Sequence, residues 1–488
     1  MNGSRSQTRI NFTRDELARL RHEIDEWLAL RTSLDGYQQY STQLAALELC
    51  LHQILKALDD ALGTLLAAGT AQHVYQKCRD VEHKTVWARQ VWRFYADKFD
   101  QRDHPATQLA IKAADEAVWS CFAGVYKSLP ASKRPAAPLP HLEPLYSPYA
   151  QPRDMGTVLR NRVVSAPFMR EFLAQLPIPT LGLSETCGRA PWWLIYIGHE
   201  VGHHLQHDLL ADLGLVTKFS AYLLEQAHQA IAQGAAAPPS AADRWSAWGE
   251  EVFADAISVY SLGPRAAWAI AELIMGDDVA MLRLGDIGSD ADRYPPALVR
   301  LALMAQLPVA PPAEAALALA EVDLARLTQD PPLLDVFGKD LRAPVRDHLQ
   351  LVPHLAAAID AWDCGGLGQL RTLCRWQEDL FGPGGQVDLW RGRLRKSDPL
   401  ALKPSLDAPR LILSGGLAAW AEISQLADAD QRAAQEEKLR KRMCDAMIDS
   451  REAGKRSAQA APSTADLEAH TATLTQKLLA LPTEELGL

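Results

Sequence analysis

Cysteine is sparse and never paired in sequence. Cys50, Cys78, Cys121, Cys187, Cys364, Cys374 and Cys444 are seven in number, scattered over 488 residues, with no CxxC among them. A disulfide miniprotein is excluded, a cysteine zinc site or redox motif is not expected, and scattered thiols fit a reducing compartment. No apolar run approaches the roughly 20 residues that cross a bilayer. The opening MNGSRSQTRINFTRDEL lacks the apolar stretch of a secretory signal. Basic charge is not in excess either. Lys and Arg number 50 against 60 Asp and Glu, a formal net charge of -10, so a general nucleic-acid binder is not expected. What remains is a cytoplasmic, soluble protein without membrane contact. Apolar residues make up 48% of it, enough for several cores, and about 100–200 residues per domain predicts two to four units.

Residues 1–10 read as a loose tail. Thr13 and Glu16 then have capping-box spacing, and Leu17, Leu20, Ile24, Trp27 and Leu28 share one helical face. A second helix is predicted from Ser41 to Ala68, with a seam of Leu44, Leu47, Leu51, Ile54, Leu58, Leu62 and Leu65. Segments 72–100 and 105–128 also read helical. Residues 1–130 are therefore expected to form an antiparallel bundle. The proline-rich stretch 131–152 reads as a linker, or as a segment packed across the next domain. Residues 153–310 carry the chemistry. Residues 311–488 follow as a helical region, with a charged solvated helix over 425–455 and a flexible tail near 455–465. The expected fold is mainly α (α+β).

The chemistry lies in Pro191-Trp-Trp-Leu-Ile-Tyr-Ile-Gly-His199-Glu200-Val-Gly-His203-His204-Leu-Gln-His207, which contains HExxH. Two histidines at i and i+4 stand one above the other on a helix, so both imidazoles reach one metal. Glu200, beside the first ligand, is placed to take a proton from water that the metal activates. A third histidine at the extended-motif position is excluded, because that position is Leu209. A glutamate on a second helix is the other solution. Trp248-Gly-Glu250-Glu251-Val-Phe-Ala254-Asp255-Ala256 supplies it, with Ser240 or Asp243 as cap and Gly263-Pro264 as stop. Glu251 and Asp255 share a face. Glu251 can therefore ligate while Asp255 holds a histidine through its other nitrogen. Glu250 points about 100° away and lacks such a partner.

HExxH followed by ExxAD resembles the gluzincin metallopeptidases, closest in pattern to the HtpX and CaaX prenyl protease family. The resemblance spans about a quarter of the chain, residues 175–305. It implies a zincin-like domain with a small sheet, Zn2+ held by His199, His203 and Glu251, Glu200 as base and Asp255 behind the ligands. That family also carries a His-Pro-Pro element with an arginine six residues after its histidine. Here the matching residues are Tyr294-Pro295-Pro296 and Arg300. Tyrosine replaces histidine, leaving Tyr294 as a candidate oxyanion donor and Arg300 as a positioning group. The family's membrane spans have no counterpart here.

The run Leu176–Ser184 contains prolines and reads as a short edge strand beside the active-site helix, suited to pairing with extended substrate. His204 reads as a solvent or packing residue. His207 reads as a surface residue or a contact to substrate or carboxylate. Tyr260, Cys187, His228, His348 and His354 read as structural. The expected function is a zinc metalloendopeptidase acting on a peptide or protein substrate, with further protein partners possible on the flanking helices. The alternatives are a catalytically inactive metal-binding interaction protein, or a zinc hydrolase of non-peptide amides.

Overall fold

The computed structural model describes residues 5–63, 70–129, 137–151, 178–210, 214–307, 321–329, 331–396, 398, 400, 402–451 and 464–480. Most of these are helical, with one small three-stranded sheet. The break predicted at 308–315, residues 153–177 of the predicted central unit and most of the predicted tail lie outside the described residues.

Helix α1 (Arg5–Ser33) buries Leu17, Leu20, Ile24 and Leu28 as the spacing predicts. It starts at Arg5, so Thr13 is an interior residue and not a cap. The Thr13 hydroxyl is 3.1 Å from the Arg9 carbonyl oxygen and 2.8 Å from Glu82 Oε1. Helices α2 (Ser41–Gly63) and α3 (Ala71–Asp100) complete three sides of a bundle around that face. The end of the predicted second helix, from residue 64 on, lies outside the described residues.

The remaining side comes from the far end of the chain. Helix Thr464–Ala480 packs on α2 and places Leu478 in the bundle core. Lys84 is buried and donates to the Leu479 carbonyl (2.9 Å) and to Asp80 (3.0 Å). A cation on the last carbonyls of a helix offsets its dipole. This last helix is part of the expected helical C-terminal region; what the sequence did not show is that it docks on the N-terminal bundle.

Helix α4 (Gln108–Ser128) belongs to a different core from α1–α3. Ala114, Val118 and Phe122 are buried with the apolar residues around the HExxH helix. It is tied to the bundle by a buried ion pair. Arg102 Nε donates to Asp115 Oδ2 at 3.0 Å, the Tyr40 hydroxyl donates to Asp115 Oδ1, and Gln39 Nε2 donates to Asp115 Oδ2 at 3.0 Å. Partners this complete offset much of the cost of burying both charges.

The proline-rich stretch is no free linker, because two strands lie in it. β1 (Leu139–Glu143) pairs parallel with β3 (Thr180–Ser184), and β2 (Tyr149–Gln151) pairs antiparallel on the other side of β3. β3 is therefore the middle strand, not the edge strand its prolines predict. Pro179 directly precedes Thr180 and only accepts, its carbonyl taking the Leu139 N–H at 2.8 Å, so its missing N–H costs the ladder nothing; Pro177 lies outside the described residues. Side chains from the bundle close the outer edge of β1. Gln101 bonds both the Leu142 N–H (2.7 Å) and the Leu142 carbonyl (2.8 Å), and Arg102 Nη2 donates to the Pro140 carbonyl at 3.1 Å. β2 is the strand that faces the HExxH helix.

Among the described residues no helix is long and apolar enough to cross a membrane. All seven cysteines are buried and free. The predicted charged helix runs from Ala429 to Asp449 and buries one face through Leu439, Met443, Cys444 and Met447.

Candidate metal centre

A 3-10 turn over Pro191–Tyr196, with proline in its first turn, leads into the motif helix (Ile197–His204). This helix crosses the glutamate helix (Gly249–Leu262), which a bend at Trp248 separates from the helix Pro239–Ala247. Ser240 and Asp243 thus lie in that preceding helix and do not cap the glutamate helix. Gly263, with φ 77°, ends it as predicted.

Glycine sets the spacing of the two helices. A Cβ on Gly202 would stand 2.6 Å from the Cα of Ala254, and one on Gly198 would run into Leu262 and Ser258. Glycine in a helix costs about 1 kcal/mol against alanine, and close approach is what it provides here. Gly202→Ala is therefore expected to destabilise the protein by about 1–3 kcal/mol through overpacking. Gly392→Ala is the control. That helical glycine has nothing near its would-be Cβ, so alanine should raise stability slightly there. Urea melts of both variants check this; equal shifts would sink the packing argument.

The crossing brings the predicted ligands together. Facing nitrogen and oxygen atoms of His199, His203 and Glu251 all lie within 4.8 Å of one another, so the group could hold a metal ion. His199 Nε2 is 3.2 Å from His203 Nε2 and 3.4 Å from Glu251 Oε2, and His203 Nε2 is 3.7 Å from Glu251 Oε1. Asp255 Oδ1 is 2.9 Å from His199 Nδ1. With the Nδ1 proton given to Asp255, the Nε2 lone pair is left facing the other ligands. Arg300, from the helix Ala297–Gln306, grips Asp255 in a fork with Nε at 2.6 Å and Nη2 at 2.8 Å. Its Nη2 also lies 3.4 Å from Glu251 Oε2.

Charge decides what fits. Glu200, Glu251 and Asp255 are all buried, and Arg300 is the cation beside them. With both imidazoles neutral, two negative charges are left over, which a divalent cation would neutralise. Without one, the group draws in protons. Burial would lower the pKa of His199, but hydrogen bonds that it donates to Asp255 and Glu251 override it and raise it to about 10. Burial raises Glu200 to about 7. His203 is lowered to about 4 by burial, against the pull of Glu251. Burial also opposes ionisation of Glu251, but its histidine and arginine neighbours hold it below the usual carboxylate range.

Glu200 sits beside the ligands, and the nearby backbone of Ala150 in β2 works slightly against the burial that raises its pKa. Nothing in the sequence singled out Ala150, since a backbone group leaves no residue-type signature. Glu250 faces away from the group and lies 3.3 Å from His207 Nε2, which places His207 against a carboxylate at the rim. His204 is wholly buried, not solvent-facing, with Nε2 3.1 Å from the Thr180 carbonyl of β3. Tyr260 bonds Asp360 at 3.0 Å, away from the ligands. Burial pushes the Cys187 thiol up to about 12, so it is inert. Tyr294 is 39% exposed, and its hydroxyl lies within the field of Glu251 and Arg300.

Comparison of the chain with protein-family models, curated proteins and solved structures finds no match.

Proposed function

We propose that this protein is a zinc-dependent peptide hydrolase. The observation that carries the reading is the joint placement of Glu200, His199, His203 and Glu251 at one helix crossing beside strand β2. Two imidazoles and one carboxylate suit zinc and leave a position open. Zinc bound there would supply a Lewis acid that brings the pKa of water towards neutrality and polarises a carbonyl. The protein's own groups do the rest. Glu200 is desolvated, which makes it a stronger base than a surface carboxylate. It takes the proton of the attacking water and passes it to the leaving amine. Asp255 and Arg300 hold His199 in one tautomer. Tyr294 would donate to the developing oxyanion. Strand β2 is an outer strand of the sheet among the described residues, where an extended peptide would pair main chain to main chain, a generic way to hold substrate.

Elemental analysis followed by a peptide-library digest tests this. About one zinc per chain and cleavage of extended peptides are expected. A well-folded protein that takes up no zinc on reconstitution would overturn the reading. Full zinc occupancy with no cleavage would transfer the site to a non-peptide amide or to a binding role.

A further inference from the structure

Three arginines belong to the helices and turn packed beside the glutamate helix. Arg300 is committed to Asp255, and Arg244 to Asp292. Arg293 is exposed and has no carboxylate partner among the described residues. Its Nη2 donates to the Tyr294 hydroxyl at 2.8 Å, and its guanidinium lies over the Tyr294 ring, 4.9 Å from the centroid. That leaves most of its donors uncommitted.

The segment that carries this pair is fixed on both sides. Asp292 accepts from Arg244 and from the Gly288 N–H (2.8 Å), and its carbonyl accepts from Trp248 Nε1 at 2.9 Å. Trp248 directly precedes the glutamate helix. Beyond Tyr294, Pro295 and Pro296 are buried and restrict the backbone. Arg293 and Tyr294 are thus an exposed pair on an anchored turn, and that turn packs on the glutamate helix.

We propose that Arg293 forms an anion subsite at the rim of the metal-ligand group and takes a carboxylate of the bound peptide. A planar guanidinium with free donors matches a carboxylate in two-point contact. Two sources share that chemistry, the C-terminal carboxylate of the peptide and an acidic side chain near the scissile bond. The inference rests on the reading that peptides bind here. It adds to that reading a preference for anionic substrates, in a protein whose own net charge of -10 would otherwise repel them.

The test is binding to the full chain loaded with zinc and carrying Glu200→Gln, so that cleavage does not intrude. Three short peptides of one neutral sequence serve as probes: free at the C-terminus, amidated, and amidated with one added aspartate. Dissociation constants are measured with and without Arg293→Ala. At least one anionic peptide is expected to bind about tenfold tighter than the neutral amide, a charge-assisted contact of ordinary strength. The peptide that gains names the source. Arg293→Ala should erase that gain and leave the neutral peptide unchanged, and Arg293→Lys should restore part of it. If all three peptides bind alike, the subsite is wrong and the peptide reading stands. If Arg293→Ala weakens all three equally, the arginine merely props Tyr294. If none binds, the peptide reading fails and the subsite falls with it.

Discussion

Glu200→Gln is expected to lower peptide turnover by about 10²–10⁴-fold, the range for loss of a general base, with zinc content at the wild-type level. The amide keeps the shape of the side chain, so the helix crossing should not change. What it loses is a basic oxygen in a desolvated place. Burial holds Glu200 at about 7 before any cation is bound, and a bound cation would favour the ionised form that acts as base. Turnover and metal content measured on one preparation separate the outcomes. Retained turnover removes Glu200 as the base. Lost zinc would make it a ligand, which its absence from the converging group argues against.

The metal group was legible in the sequence because its logic is local. His199 and His203 are related by one helical turn, and so are Glu251 and Asp255. The choice of Glu251 over Glu250 needed only the helical angle, and the facing atoms agree with it. The sheet was not legible. β1 and β2 hide among prolines in 131–152, and they become strands only by pairing with β3, which follows them in the chain. Proline content made β3 look like an edge, whereas Pro179 stands just before the strand and needs only its carbonyl, which accepts from Leu139. Thr13 fails as a cap for the opposite reason. The capping pattern is local, but the bundle gives residues from Arg5 onward a surface to pack on, with Ile10 fully buried. The last helix lies in a region that reads helical, but its return to Lys84 from the far end of the chain has no sequence signal. Long-range burial decides such cases, and a single sequence does not report it.

Glu251→Ala is expected to abolish metal retention, while Glu250→Ala leaves it nearly unchanged. Losing an outer hydrogen-bond partner of a ligand costs about 10–100-fold in affinity, and losing the ligand should cost more. Two effects add here. The site drops from three converging donors to two imidazoles, and the buried cluster loses one of the carboxylates that offset a divalent ion. Arg300 sharpens the second effect. It stays gripped by Asp255 at 2.6 Å, so its positive charge remains beside His199 with less to balance it. Glu250 has neither part. Its side chain is 47% exposed and faces His207, where solvent screens its charge. Zinc competition against a chelator, run on both variants and on Glu251→Gln, reads the difference directly. Circular dichroism on the same samples shows whether the glutamate helix still forms. Weaker binding in Glu250→Ala than in Glu251→Ala would reassign the third ligand and move the open position to the His207 side of the site.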